Sequence, residues 1–210
     1  MLILDLDDTI FQTNSINPEI FESAFSIIHN YYHSRETGIP IEKMITALWS
    51  QPHDLVFSKY KTPTYIISEF YTQISTINYS TLNIKTFDDY KWIRNNSKRK
   101  ILVTTGLKEL QLAKIKALGI ESDFEAIKID DPRLHPRQHK LDIFKQILKE
   151  TAIAPKEIWV IGDNPDSEIK AGKQLGMNTV QRKSSSKKSS LFADYEIDSF
   201  AELIEILAKK

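Results

Sequence analysis

Three acidic side chains and a hydroxyl group follow a short apolar run at the start of the chain. Residues 1–4 are all apolar and lead into Asp5, Asp7 and Asp8, with Thr9 directly after them. Two unit charges 4 Å apart interact by roughly 4 kcal/mol at an effective dielectric constant of about 20, so three close carboxylates repel one another strongly. A strand with a solvated acidic turn is the ordinary interpretation of such a stretch. The alternative is a site at which a cation or a reaction compensates for the charge.

Polar side chains also follow later apolar runs of the chain. In open parallel sheets, ligands bind outside the carboxyl ends of the strands, where the loops converge. We therefore expect the polar residues at those ends to lie near Asp5 and Asp7. They are Thr104 after residues 101–103, Lys140 after the strand region 124–127, and Asp163 after residues 158–161.

Three carboxylates, one hydroxyl and one ammonium group in one place would bind a metal ion and an anion together. A hard cation such as Mg²⁺ takes few protein oxygens and completes its shell with water and substrate phosphate. The lysine and the threonine supply hydrogen-bond donors for an anion beside the cation. These residue types therefore indicate a phosphate site.

The second half of the chain alternates between short apolar runs and helical periodicity. Helical spacing over residues 108–118 follows the strand 101–103, and Gly119 stands where a left-handed cap is expected. This alternation predicts an α/β fold, a Rossmann-like parallel sheet with helices on both faces. The apolar face predicted for the helix 108–118 consists of Leu110, Leu112, Ile115 and Leu118. Further strands are predicted over 124–127, 157–161, 178–180 and 195–197, and further helices over 141–149, 167–176 and 200–208.

Residues 14–86 have a different pattern, which predicts a small α-helical domain inserted after the first strand. Asn17-Pro18 offers an N-cap side chain and a proline at the first helical position. The aromatic residues of this stretch are expected to form its own core. The predicted core domain then comprises residues 1–13 and 87–210. Helices are predicted from residue 18 through Tyr32, over 41–49 and over 64–76.

The order of these motifs resembles the haloacid dehalogenase-like superfamily of phosphohydrolases. The run Asp5-Leu6-Asp7-Asp8-Thr9 fits the family's DxDx(T/V) signature, and the resemblance covers the core, about two-thirds of the chain. It implies a Mg²⁺-dependent phosphatase that acts on a small phosphomonoester through an aspartyl-phosphate, with the helical domain as a cap. The other three motifs are matched by Thr104, by Lys140, and by Gly162-Asp163 with Gly176-Met177 further on.

The resemblance also implies a role for each motif residue. Asp5 would be the nucleophile, and Asp7 would be the general acid and base. Lys140 would neutralise charge on the phosphoryl group and on Asp5. Asp5, Asp163 and the main-chain carbonyl of Asp7 would hold Mg²⁺. The expected substrate contacts are Thr104, Thr105, Gly106 and Lys140.

One position departs from the family's pattern. The family often carries a second acid four residues after the aspartate of the fourth motif, and here that position is Ser167. Asp166 and Glu168 flank it, and either could hold a water molecule bound to the metal. The sequence does not choose between them.

Several alternatives use similar residues. A phosphomutase would have the same motifs, whereas a dehalogenase would not need the acid at Asp7. A phosphonatase would need a lysine from the helical domain, where Lys43, Lys59 and Lys61 are candidates. A phospho-receiver module or a silent phosphate-binding protein belongs to another class. The receiver would place its phosphoacceptor after a middle strand. A phosphatase assay with Mg²⁺ would distinguish the silent phosphate-binding protein from an enzyme.

The composition excludes other classes of protein. Lys+Arg and Asp+Glu both number 28, so the formal net charge is zero. The charge balance therefore does not indicate a nucleic acid or a membrane as partner. The chain has no cysteine, which excludes disulfide and thiolate chemistry. We expect neither a signal peptide nor a transmembrane segment, since no apolar run approaches about 20 residues. The predicted location is the cytoplasm, and the predicted partner is a small phosphorylated metabolite.

Overall fold

A computed structural model of the protein describes residues 1–35, 38–134, 136–184 and 187–208. Its internal contacts divide the chain into two units. We call Met1–Ser15 together with the chain from Asn83 onward the core unit, and Ile16–Leu82 the helical unit. The helical unit falls within the insertion predicted over residues 14–86. Its assignment as a cap domain stays a prediction.

The core unit contains a parallel sheet whose described strands have the order β3-β2-β1-β4-β5-β6. The strand β1 lies in the middle and pairs with both β2 and β4, so the chain changes direction across the sheet at this point. In such sheets, ligands bind at the carboxyl ends of the strands beside the change of direction. The predicted α/β fold is confirmed. The strands are β1 (Leu2–Leu4), β2 (Lys100–Thr105), β3 (Ala126–Asp130), β4 (Trp159–Gly162), β5 (Asn178–Arg182) and β6 (Tyr195–Ile197).

Helices account for much of the remaining chain. The first four belong to the helical unit and the others to the core unit. Within the described ranges, no helix combines the length and the apolar character that crossing a bilayer requires. The helices are α1 (Glu22–His33), α2 (Ile41–Ser50), α3 (His53–Lys59), α4 (Thr64–Thr76), α5 (Lys91–Arg94), α6 (Lys108–Leu118), α7 (Lys140–Thr151), α8 (Lys170–Gln174) and α9 (Phe200–Ala208).

One face of the sheet packs against α7. Ile3, Ile101 and Val160 come from three neighbouring strands and lie in one buried cluster with Phe144 and Ile147 of the helix. Burying an apolar side chain of this size stabilises a fold by about 1.5–3 kcal/mol. This packing fixes the first turn of α7 beside the carboxyl ends of the strands.

The helical unit has an aromatic core of its own, as the sequence predicts. The ring of Phe21 lies 5.2 Å from that of Trp49, and the ring of Phe25 lies 6.3 Å from that of Phe70. Edge-to-face and tilted contacts of this kind add about 0.5–1.5 kcal/mol beyond the area they bury. The sequence pattern does not predict α3, because seven residues are too few to show a helical period.

The described elements of the core unit follow the sequence pattern with several shifts of position, and β4 begins at Trp159, two residues later than predicted. The helices α6 and α9 and the strand β6 span the residues predicted for them. The strand β3 begins at Ala126, two residues later than predicted, because a 3₁₀ turn over Glu121–Asp123 precedes it. A π-helical turn over Pro165–Ile169 replaces the start of the helix predicted from residue 167.

The apolar face predicted for α6 is right in part, since Ile115 and Leu118 are buried, and wrong at Leu112. Leu112 is 41% exposed, whereas Gln111 and Lys114 are 1% and 5% exposed. Counted from Gln111, the buried positions of the helix follow the spacing i, i+3, i+4 and i+7, which is the spacing of one helix face. Two of those four positions carry polar side chains, so a search for apolar residues alone assigns the face incorrectly.

Candidate active site

Asp5 and Lys140 form a buried ion pair at the carboxyl end of β1. The main-chain nitrogen of Asp5 donates to the carbonyl of Ile161, which holds the residue between β1 and β4. Lys140 is the first residue of α7, and its Nζ lies 2.8 Å from Oδ1 of Asp5. Both side chains are under 10% exposed. The structure therefore brings together two residues that are 135 positions apart in the chain.

Asp163 and Glu168 join Asp5 in a cluster of three buried acids. One carboxylate oxygen from each residue lies within 4.8 Å of the others. Nζ of Lys140 also donates to Oε2 of Glu168 at 2.7 Å. With all groups ionised, the three carboxylates and the ammonium group leave two negative charges in a buried space. A divalent cation would balance that charge, and an all-oxygen donor set suits Mg²⁺.

The pKa values of Asp163 and Asp5 are raised above their ordinary range. Burial, followed by the charges of Glu168 and Asp5, raises the pKa of Asp163 to about 8. Burial also raises the pKa of Asp5, although the ammonium group of Lys140 acts in the opposite direction. In the metal-free protein the charged form of such a carboxyl group is unfavourable. A cation beside the group would therefore stabilise its charged form strongly.

Glu168, and not Asp166, reaches the acid cluster. The turn over Pro165–Ile169 is π-helical, with i→i+5 hydrogen bonds such as that from the nitrogen of Lys170 to the carbonyl of Pro165. This wider turn brings Oε1 of Glu168 to 2.6 Å from the main-chain nitrogen of Asn164. Glu168 is 1% exposed, and Asp166 lies on the surface. The sequence leaves the choice between Asp166 and Glu168 open, and in the structure Glu168 is the residue that lies in the cluster.

Gly162 makes room for the carboxylate of Glu168. A Cβ atom added to this glycine would lie 2.2 Å from Oε1 of Glu168 and 2.4 Å from its Cγ. Contacts this short do not occur, and Glu168 is held by hydrogen bonds at both of its oxygens. The glycine at the end of β4 is therefore part of what positions the third acid.

Two side chains of α6 contact Asp7, and one of them, Gln111, also links Asp7 to Thr104. Oδ1 of Asp7 lies 2.7 Å from Nζ of Lys114, and its Oδ2 lies 2.8 Å from Nε2 of Gln111. The hydroxyl of Thr13 lies 3.4 Å from Oδ1 of Asp7. Nε2 of Gln111 also donates to Oγ1 of Thr104. Sequence reasoning missed Gln111 and Lys114, and their signal was the polar pair at buried helical spacing described above.

Thr105 and Gly106 use their donors within the protein. The hydroxyl of Thr105 donates to Oδ2 of Asp130 at 2.9 Å, and the nitrogen of Gly106 donates to the carbonyl of Asp130 at 3.0 Å. Arg137 pairs with the same carboxylate. Substrate contact through Thr105 and Gly106 stays a prediction.

The chain is similar to proteins of one family over most of its length. The model of the family described as haloacid dehalogenase-like hydrolase matches residues 2–181. A curated relative, the glyceraldehyde 3-phosphate phosphatase of Methanocaldococcus jannaschii, is 32% identical over 109 residues. The match covers 50% of this chain and 47% of that protein, so it spans about half the length of the relative.

Two solved structures share the fold. A haloacid dehalogenase-like family hydrolase from Streptococcus pneumoniae has a TM-score of 0.70 at 16% identity and covers 98% of this chain and 97% of that one. A hydrolase of the same kind from Bacillus subtilis, solved with bound magnesium, has a TM-score of 0.61 at 17% identity, with the same coverage of 98% and 97%. At these identities the likeness shows the fold alone.

Proposed function

The chain belongs to the haloacid dehalogenase-like hydrolase family, and from that premise we propose that it is a Mg²⁺-dependent phosphatase. The proposed reaction cleaves a small phosphomonoester through an aspartyl-phosphate on Asp5. The observation that carries the proposal is the buried cluster of Asp5, Asp163 and Glu168 with Lys140. It brings the carboxylate proposed as the nucleophile together with two further acids that could hold a cation and with an ammonium group.

The carboxylate of Asp5 attacks phosphorus in the first step, and the bond from phosphorus to the leaving oxygen breaks. Lys140 holds Oδ1 of Asp5, which orients the carboxylate and offsets the charge that the phosphoryl group adds. Asp7, which must enter this step protonated, gives its proton to the leaving oxygen. Thr104 binds a phosphoryl oxygen through its hydroxyl group.

Water attacks the aspartyl-phosphate in the second step, and Asp7 takes the proton from that water. The bond between phosphorus and the Asp5 oxygen breaks, which releases inorganic phosphate and restores the carboxylate. Asp5, Asp163 and the main-chain carbonyl of Asp7 would hold Mg²⁺. Bound there, the ion would neutralise charge on the phosphoryl group. The magnesium bound in the Bacillus subtilis neighbour supports this choice of ion.

The proposed substrate class is a small phosphorylated metabolite. The curated relative is named for the hydrolysis of glyceraldehyde 3-phosphate, so a short sugar phosphate is the first compound to test. The match spans about half of that relative, and its substrate therefore serves here as a starting point for a panel. The cleaved bond is in each case that of a phosphate ester.

A phosphate-release screen tests the proposal. Purified protein is assayed over a panel of small phosphomonoesters, with Mg²⁺ and with a chelator, beside the variants Asp5→Asn and Asp8→Asn. We expect Mg²⁺-dependent turnover that Asp5→Asn abolishes. Asp8→Asn makes the same chemical change three residues away, at a left-handed backbone position with φ of 53° that asparagine also tolerates. It should keep most of the turnover, and unchanged turnover in Asp5→Asn would refute the assigned nucleophile.

A further inference from the structure

The helix α6 presents two buried polar side chains to the residues proposed for phosphoryl transfer. Gln111 and Lys114 are three positions apart, so they lie one turn from each other on the same helix face. They are 1% and 5% exposed, a burial that is unusual for an amide and an ammonium group. Apolar side chains at these two positions would complete the face that Ile115 and Leu118 begin.

The amide of Gln111 is not fully satisfied by its surroundings. Its Nε2 has three acceptors, namely Oδ2 of Asp7, Oγ1 of Thr104 and the carbonyl of Thr105. Among the described residues, its Oε1 is buried without a hydrogen-bond partner. A buried acceptor without a partner is unfavourable, and local costs of this kind are expected mainly at functional sites. We therefore look for the role of Gln111 in the hydrogen bonds that its Nε2 donates.

The contact with Gln111 decides which way the hydroxyl of Thr104 can act. Oγ1 of Thr104 accepts the hydrogen of Nε2, so its own hydrogen points to another partner. Thr104 is fully buried at the carboxyl end of β2. An amide donor behind the hydroxyl thus leaves Thr104 as a donor toward an anion. A carboxylate in place of the amide would turn the hydroxyl hydrogen back toward the helix.

The carboxylate of Asp7 is held at both oxygens from the same helix. Lys114 bonds Oδ1 at 2.7 Å, and Gln111 bonds Oδ2 at 2.8 Å. Two donors on opposite oxygens fix the plane of the carboxylate as well as its distance. Gln111 in addition ties the position of Asp7 to that of Thr104, so the group that transfers the proton and the group that binds the phosphoryl oxygen are set together.

We propose that Gln111 and Lys114 are positioning residues, which orient Asp7 for proton transfer and turn the hydroxyl of Thr104 toward the phosphoryl group. This inference rests on the proposed phosphatase function and adds two residues to it. Neither residue touches the substrate. Each acts through a residue that does.

The dependence of the rate on the leaving group separates positioning from a merely structural role. Proton donation matters for an alkoxide leaving group and little for 4-nitrophenolate, which leaves without a proton. The values of kcat/KM for glycerol phosphate and for 4-nitrophenyl phosphate are therefore compared in Lys114→Met. We expect a loss of about tenfold to a hundredfold with glycerol phosphate, the size expected for a lost charge-assisted hydrogen bond, and little loss with 4-nitrophenyl phosphate. Lys116→Met changes an exposed lysine of the same helix and should alter neither value.

Gln111→Met serves as a second, independent variant, so the test does not depend on the folding of Lys114→Met. It has nearly the same size as the wild-type side chain but no donor. We expect a loss with both substrates, because Thr104 binds both phosphoryl groups, and a larger loss with glycerol phosphate. Circular dichroism and thermal denaturation verify that each variant is folded.

A double-mutant cycle completes the test. If Lys114 acts through Asp7, then Lys114→Met should cost no further activity in an Asp7→Asn background. Equal losses with the two substrates, or the same loss in the presence and absence of Asp7, would overturn the inference. If the wild type cleaves neither these two esters nor the panel of phosphomonoesters, the proposed phosphatase function fails first, and that outcome is distinct.

Discussion

Lys140 and Glu168 form an ion pair in which Nζ and Oε2 are 2.7 Å apart and both side chains are at most 5% exposed. The pair links the first turn of α7 to the π-helical turn that follows β4. Lys140 pairs with Asp5 through the same ammonium group. The ammonium group of Lys140 thus connects three segments that are distant in sequence.

Lys140→Met should destabilise the protein and abolish turnover. Removing the ammonium group leaves Asp5 and Glu168 buried without their cation, and breaking a buried pair in this way costs about 3–5 kcal/mol. Urea denaturation in the presence of a chelator measures the change in the free energy of unfolding. Lys145→Met is the control, since that lysine pairs with Asp142 on the surface and should change stability by less than about 1 kcal/mol. Equal effects of the two substitutions would contradict the account.

Glu168→Gln should weaken Mg²⁺ binding, whereas Asp166→Asn should not. Both substitutions replace a carboxylate with an amide of the same size, and the two positions are two residues apart. Only Glu168 lies in the acid cluster, so only its charge acts on the ion at short range. Isothermal titration calorimetry measures both dissociation constants. A larger effect of Asp166→Asn would show that the π-helical turn does not place the third acid as described.

Gly162→Ala should have the same consequence as the loss of Glu168, without removing any charged group. The added Cβ would lie 2.2 Å from Oε1 of Glu168, so the carboxylate must leave its place. We expect weaker Mg²⁺ binding and slower turnover in a folded protein. Gly119→Ala is the comparison, because a Cβ there meets nothing within 4 Å and its φ of 62° imposes only backbone strain. Gly119→Ala should lower stability and leave Mg²⁺ affinity unchanged.

The stability of the metal-free protein should fall as the pH rises through the neutral range. The pKa of Asp163 is about 8 in the folded protein against an ordinary value of 3.8. Between these values the folded state keeps a proton that the unfolded state has lost. The contribution of Asp163 to stability is therefore complete below about pH 4 and is lost as the pH approaches about 8.

Asp163→Asn should flatten this pH dependence. The slope of the free energy of unfolding against pH should differ between variant and wild type by at most about 1.4 kcal/mol per pH unit, the linkage value for one proton. Urea denaturation in chelator at pH 5, 6, 7 and 8 provides the comparison. In the wild type, saturating Mg²⁺ should reverse the trend, since the ion binds the ionised carboxylate. An identical pH slope in the two proteins would refute the role of Asp163 in the cluster.

The alternation of strands and helices in the core unit, and the side chains at the carboxyl ends of its strands, could be predicted from the sequence. Asp5, Thr104 and Asp163 each follow an apolar run, and parallel strands bring such residues to one edge of a sheet. Lys140 follows from the first turn of the next helix. These inferences succeed because the local sequence determines which residue lies at the end of a strand. The parallel sheet then brings the strand ends to one edge.

The supporting residues could not be predicted in the same way. Glu168 depends on a π-helical turn, whose i→i+5 bonding has no simple sequence period, so counting four residues from Asp163 leads to Ser167 instead. Gln111 and Lys114 were hidden because a helix face is ordinarily found from its apolar residues, and these two are polar. Each of these side chains also has a partner far away in the chain, which is Lys140 for Glu168 and Asp7 for Gln111 and Lys114.

Trapping the covalent intermediate tests the central claim most directly. The protein is mixed with Mg²⁺ and a phosphomonoester that carries a radiolabelled phosphoryl group, quenched in acid and digested, and the labelled peptide is identified. The account predicts label on the peptide that contains Asp5, and none in Asp5→Asn. Turnover by a protein that never carries the label, or label on another residue, would contradict it.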